Sequence, residues 1–145
     1  MLDGTDAIML VKETQDGMYP LNSVSHLSKI VTETEQCIDY RALYDEIKGL
    51  TSRRIGQLET MASSAVATSL SLQIDLILVY SESGIMSRMV AKYRPQVPIL
   101  ACSRNTMINK NLSYVRGVIC HQPTEEEAAD ENKDKVDIDK LLEKA

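Results

Sequence analysis

Between residues 57 and 120, short unbroken apolar runs alternate with stretches whose apolar residues recur at helical spacing, and few folds satisfy that pattern. Leu58, Met61, Ala62, Ala65, Val66 and Leu70 share one face of a helix predicted to begin near Gln57. The run Leu76-Ile77-Leu78-Val79-Tyr80 follows, as expected of a strand covered on both sides of a sheet. Met86, Met89, Val90 and Tyr93 then fall at i, i+3, i+4 and i+7, predicting a helix that Pro95 ends. On this reading Tyr93 closes the helix face and Arg94 bonds the helix's last carbonyls. A second buried strand is predicted over 98–102, a short helix over 106–112 and a third strand over 115–120. Such alternation implies parallel strands joined by right-handed crossovers, with helices on the sheet faces. The fold class is therefore α/β, with a mainly parallel sheet of at least three strands.

The flanks read differently. Ala7-Ile8-Met9-Leu10-Val11 predicts a strand that opens into a polar, turn-rich stretch with Gly17 and Pro20 as punctuation. After it Val24, Leu27, Ile30, Val31 and Ile38 recur near helical spacing, with Pro20 at a helix start, where its missing N–H costs nothing. Residues 1–38 thus read as one βα unit. Residues 39–56 are mixed and charged, with Arg53-Arg54 and Gly56, and read as a linker before a second unit spanning 57–122.

Beyond that unit, residues 123–135 read as an acidic flexible loop, too poor in apolar residues to offset the entropy of ordering. Asp130, Asn132 and Asp134 resemble the opening of a calcium loop, but Lys135 replaces the turn glycine and Leu141 stands where the closing glutamate belongs. Ile138, Leu141, Leu142 and Ala145 mark the start of an amphipathic helix over 136–145. With no partner element after it, a truncated chain is expected, with an open sheet edge and a tendency to self-associate.

Composition narrows the class of function. A chain of 145 residues, 43% hydrophobic, supports one core. No apolar run approaches the roughly 20 residues that cross a bilayer, and the first residues lack the pattern of a secretory signal. Cys37, Cys102 and Cys120 are odd in number and widely spaced, which suits reduced thiols and a cytoplasmic location. From Pro123 onward nine acids face four lysines, which accounts for the whole net charge of -5 and leaves residues 1–122 neutral. A neutral body without a basic stripe argues against nucleic acid as a partner, and nothing points to a membrane. His26 and His121 stand apart from any cysteine or carboxylate cluster and read as spectators.

Three motifs carry a family resemblance. Leu2-Asp3-Gly4-Thr5-Asp6-Ala7-Ile8-Met9-Leu10 with Glu13-Thr14 and Gly17-Met18-Tyr19-Pro20 is the first, and Ala62-Ser63-Ser64-Ala65-Val66 the second. The third comprises Ser83-Gly84, Val90-Ala91-Lys92-Tyr93-Arg94-Pro95, Pro98-Ile99 and Arg104-Asn105. In order and spacing, without gaps over residues 2–121, the set resembles the C-terminal part of the pyruvate kinases.

The resemblance implies a phosphoryl transfer between phosphoenolpyruvate and ADP on a TIM barrel that uses Mg²⁺ and K⁺. Residues 7–11 would be the last barrel strand, 21–37 its helix, and 57 onward a regulatory and assembly domain with the rest of the chain and homotetramer mates as partners. Glu13 and Thr14 would lie at the edge of the active site, on a loop following a barrel strand. The family's Ser-Gly before that pair reads Val11-Lys12 here. Ser81, Ser83 and Gly84 would belong to a loop that in many relatives grips the phosphate of a small-molecule effector. Glu82 sets a carboxylate against a phosphate there, and a helix-capping role for Ser83 is the alternative. One βα unit cannot assemble metal-holding carboxylates, a phosphate-binding cation and a substrate site together, so this chain alone is expected to be inactive and to bind neither ion. A stand-alone, non-catalytic binding module descended from that domain is the rival reading.

Overall fold

The computed structural model describes residues 1–52, 54–72 and 74–123. The expected helix over 136–145 and nearly all of the acidic loop lie outside the described residues. Along the chain run α1 (Lys12–Gln15), α2 (Pro20–Gln36), α3 (Tyr40–Leu50), α4 (Gln57–Ser71), β1 (Ile77–Tyr80), α5 (Ile85–Lys92), β2 (Ile99–Cys102), α6 (Thr106–Leu112) and β3 (Val118–His121).

The strands form one parallel sheet in the order β1-β2-β3. Ile77 pairs with Ile99 and Ile99 with Val118, and the register continues to Tyr80, Cys102 and His121. Because side chains alternate across a sheet, Ile77, Val79, Ile99, Ala101, Val118 and Cys120 point the same way. All six join Val66, Val90, Tyr93 and Leu112 of the helices in a single core. Helices on one face are what successive parallel crossovers advancing in one direction produce. The central strand β2 is buried throughout. On the far face of β1, Leu78 and Tyr80 remain 48% and 59% exposed, so this strand is covered on one side and not on both.

Three further expectations are corrected. The strand predicted over 7–11 does not form, and the described ladder pairs only β1, β2 and β3. A strand is held by backbone bonds to a neighbour, and none of the three described strands pairs with residues 7–11. The helix of that unit does form, as α2 with Pro20 at its start, but none of its residues is buried.

The second correction concerns residues 39–56, which are not simply a linker. Asp39 Oδ1 accepts hydrogen bonds from the amides of Arg41 (3.1 Å) and Ala42 (3.0 Å), which starts α3. Tyr44 of that helix is buried in the common core, 5.8 Å from the ring of Tyr93, and its hydroxyl meets Ser63 Oγ at 2.9 Å. Arg41 in turn donates to the Leu70 carbonyl near the end of α4 (2.9 Å).

The third correction rotates α4. Ala62, Val66 and Leu70 join the core as expected, whereas Leu58, Met61 and Ala65 are exposed and Ser63 and Ser69 are buried. Small side chains let α5, its closest helical neighbour, approach tightly.

An ion pair between Lys92 and Glu59 fastens α5 to α4, and the Tyr93 hydroxyl donates to the same carboxylate at 3.4 Å. The Lys92 ammonium beside it holds the Glu59 carboxyl below its ordinary value, while Glu59 raises Lys92. A carboxyl lowered on folding contributes stability above its unfolded value, and that stability fades as pH falls through the folded one. The paired lysine adds the mirror case, lost only as pH climbs through its raised value. Glu59→Gln should therefore melt below the parent protein at neutral pH and converge with it as pH falls through the lowered value of the folded carboxyl, as pH-resolved thermal melts would show.

Candidate functional site

In open parallel sheets, ligands bind beyond the carboxyl ends of the strands, and here three loops meet at that end. Ser81 follows β1 and donates its amide to the Cys102 carbonyl (3.1 Å), while the Ser103 amide after β2 donates to the His121 carbonyl (3.3 Å). The rim therefore holds residues 81–84, residues 103–105, and His121 with Gln122.

The β1–α5 loop is stiffened from within. Ser81 Oγ accepts from the Gly84 amide at 3.1 Å, and Gly84 caps α5 in the left-handed region with φ of 71°. A Cβ at Gly84 would stand 2.8 Å from Ile108 Cγ2 and 3.2 Å from Leu112 Cδ1, so glycine is required here by α6. Ser83 is exposed, and its hydroxyl lies 3.5 Å from the Ile85 amide. Glu82 is exposed beside it. In the first turn of α5 the Ser87 hydroxyl is buried without a hydrogen-bond partner.

The β2–α6 loop was not visible as a site in the sequence. Asn105 caps α6 through its Oδ1, which accepts from the Met107 amide (2.9 Å). Ser103 Oγ accepts from the Asn105 amide (3.2 Å), and Asn109 Nδ2 donates to the Ser103 carbonyl (3.0 Å). Thr106 Oγ1 donates to Gln122 Oε1 at 3.2 Å, joining this loop to the end of β3. The Asn-cap pattern at 105–107 was the available signal. Nearby, burial pushes the Cys120 thiol up, and its Sγ reaches the Asn109 carbonyl at 3.3 Å.

Glu13 and Thr14 stand elsewhere. Both lie on the exposed one-turn helix α1, whose packing partner is α2, and Thr14 Oγ1 turns back to the carbonyls of Leu10 (3.3 Å) and Val11 (3.2 Å). The segment before them is anchored at Arg94, which follows the C-terminus of α5. Residues 81–84 precede the opposite end of that helix, about 12 Å away along its axis. The sheet thus brings Ser81, Ser83 and Gly84 together and leaves Glu13 and Thr14 apart from them. Among the described residues no three His, Cys, Asp or Glu side chains converge to hold a metal ion. No described helix is long and apolar enough to cross a membrane.

A parallel sheet with its loops gathered at the strands' carboxyl ends defines an open α/β domain, the class that commonly serves as a ligand-binding unit in larger enzymes. Residues 59–145 match the family described as the pyruvate kinase alpha/beta domain, and the chain belongs to that family. Pyruvate kinase of Eimeria tenella is 41% identical over 118 residues, covering 81% of this chain and 22% of the relative. The Dictyostelium discoideum pyruvate kinase is 39% identical over 122 residues, with 82% and 24% covered. A crystal structure of Cryptosporidium parvum pyruvate kinase superposes with a TM-score of 0.86 at 31% identity, over 99% of this chain and 29% of that one. The chain spans about a quarter of the length of these relatives, which by name are phosphotransferases of glycolysis.

Proposed function

We propose that this chain serves as the C-terminal regulatory and assembly part of a pyruvate kinase, the enzyme passing phosphoryl from phosphoenolpyruvate to ADP to yield pyruvate and ATP. The observation that carries the reading is the family match over residues 59–145 on a parallel sheet that superposes on a relative with a TM-score of 0.86. Mg²⁺, K⁺ and the nucleotide belong on this reading to the barrel of the complete enzyme, which works in the cytoplasm as a tetramer. Glu13 and Thr14 lie at the margin of that active site. The chain by itself transfers no phosphoryl group. Leu58, Met61 and Leu72 at the outer surface of α4 are apolar and exposed, and they suit a contact with another copy.

A chimera tests the assignment. Residues 57–145 replace the corresponding segment of the Eimeria tenella enzyme, and phosphoenolpyruvate-dependent ATP formation and sedimentation are measured. Turnover in a tetrameric chimera is expected. A soluble, folded chimera that stays monomeric and inactive beside a working parent would overturn the reading.

The β1–α5 loop is the effector-facing element on this view, with Ser81, Ser83 and Gly84 shaping it and Glu82 selecting against phosphate. An exposed carboxylate beside a bound phosphate costs on the order of 1 kcal/mol or more. Glu82→Lys is therefore expected to tighten binding of a sugar bisphosphate at least about tenfold, read by calorimetry at low salt. Unchanged heats would remove the loop from the effector site.

A further inference from the structure

We infer that Arg94 and Arg116 form a two-point clamp that fixes the N-terminal segment and α2 onto the α/β unit. Arg94 Nη1 lies 2.8 Å from Asp6 Oδ1, and its Nη2 donates to the Gly4 carbonyl at 2.6 Å. Arg116 Nη2 lies 3.2 Å from Glu35 Oε1 near the end of α2, and its Nη1 donates to the Met1 carbonyl at 3.2 Å. The Arg116 amide completes the set by donating to Asp6 Oδ1 at 3.4 Å. Two cations from different loops of the α/β unit thus seize one strand of chain at both ends and the helix that follows.

Apolar packing does not do this job. No residue of α2 is buried, and Val24 and Ile30 are exposed. Beside the clamp lies a cavity of about 210 Å³, lined in part by Glu35, Tyr40, Leu43, Arg94, Pro98 and Arg116. The guanidinium side chains are only 15% and 12% exposed, so their charges are screened less than those of surface pairs. Forked donors of this kind can hold a carboxylate and a carbonyl at once, which lysine cannot.

The backbone gives independent support. Arg94 has φ of 52°, the one non-glycine residue in the left-handed region among the described residues. Just past a helix end that position favours glycine, and a longer residue is disfavoured there. The contacts of its side chain with Asp6 and Gly4 hold Arg94 in that conformation against the strain. On the pyruvate kinase reading, the segment so held runs directly into Glu13 and Thr14, and the two arginines are positioning residues for that loop.

Hydrogen exchange on this chain tests the clamp without any assay of activity, so its outcome is separate from the phosphoryl-transfer assignment. Arg94→Gly removes the side chain while relieving the backbone, and Arg116→Gln removes the second cation. In the double variant the amides of α2 should exchange at least about tenfold faster, with the amides of β2 unchanged. Arg94→Gly alone should leave the melting temperature equal or higher. Unaltered exchange in α2 overturns the clamp, as does equal loss of protection in α2 and β2, which would make the arginines general supports of the fold.

Discussion

Gly84→Ala is expected to destabilise the protein by about 2–4 kcal/mol, the sum of left-handed strain in a residue bearing a Cβ and of overpacking against α6. The new methyl would meet Ile108 Cγ2 at 2.8 Å and Leu112 Cδ1 at 3.2 Å, and Leu112 is fully buried with no room to retreat. Thermal melting should show the midpoint falling by roughly 10 °C. Pairing the change with Ile108→Ala separates the two causes, because the cavity admits the methyl but leaves φ at 71°. Partial recovery in the pair is the expected result, and a single variant as stable as the parent would show that the β1–α5 corner is held by something other than α6. The same glycine opens the loop read as effector-facing, so its requirement is accounted for by packing before any ligand is considered.

The sheet was legible because its strands are unbroken apolar runs bounded by Pro95, Pro98 and polar loops. The observed strands lie within or within one residue of the predicted ones, although only β2 is buried on both faces. Helix faces were less legible. On α4 the largest apolar residues point outward and Ala62, Ser63 and Val66 point inward, because a close helix contact selects for small volume. Periodicity weighted by hydrophobicity therefore found Ala62, Val66 and Leu70 but displaced the centre of the buried face toward Leu58 and Met61. Residues 7–11 have the composition of a strand, but forming one also takes a neighbour's backbone bonds, and the described sheet gives them none.

The candidate site was legible only where it is local. Ser81, Ser83 and Gly84 lie within four residues of one another, at a corner between a strand and a helix that the apolar pattern already marked. Ser103, Asn105 and Asn109 required the register of β2 to bring their loop alongside. Arg94 was read as bonding the carbonyls at the end of its own helix. Its guanidinium instead reaches the Gly4 carbonyl, 90 positions away in the chain, and no spacing rule reports such a contact.

Tyr44→Ala is expected to cost about 3–5 kcal/mol, as deletions of a large buried ring do. Tyr44 lies in the common core, contacts the Tyr93 ring, and gives its hydroxyl to Ser63, whose carbonyl is at 3.1 Å and whose Oγ is at 2.9 Å. Tyr44→Phe isolates the polar share and should cost only about 1 kcal/mol. Asp39, Tyr40, Leu43, Tyr44 and Ile47 were already an N-cap followed by residues at i, i+3, i+4 and i+7, a signal outweighed by the charges around them. A chain shortened to begin at Gln57 should accordingly lose its cooperative melt, because Ala62, Val66 and Tyr93 would lose the element packed over them. Urea titrations of both variants and of the shortened chain measure this directly. A Tyr44→Ala protein within 1 kcal/mol of the parent would return residues 39–56 to the status of a linker, and the α/β unit would then have to be redrawn as starting at α4.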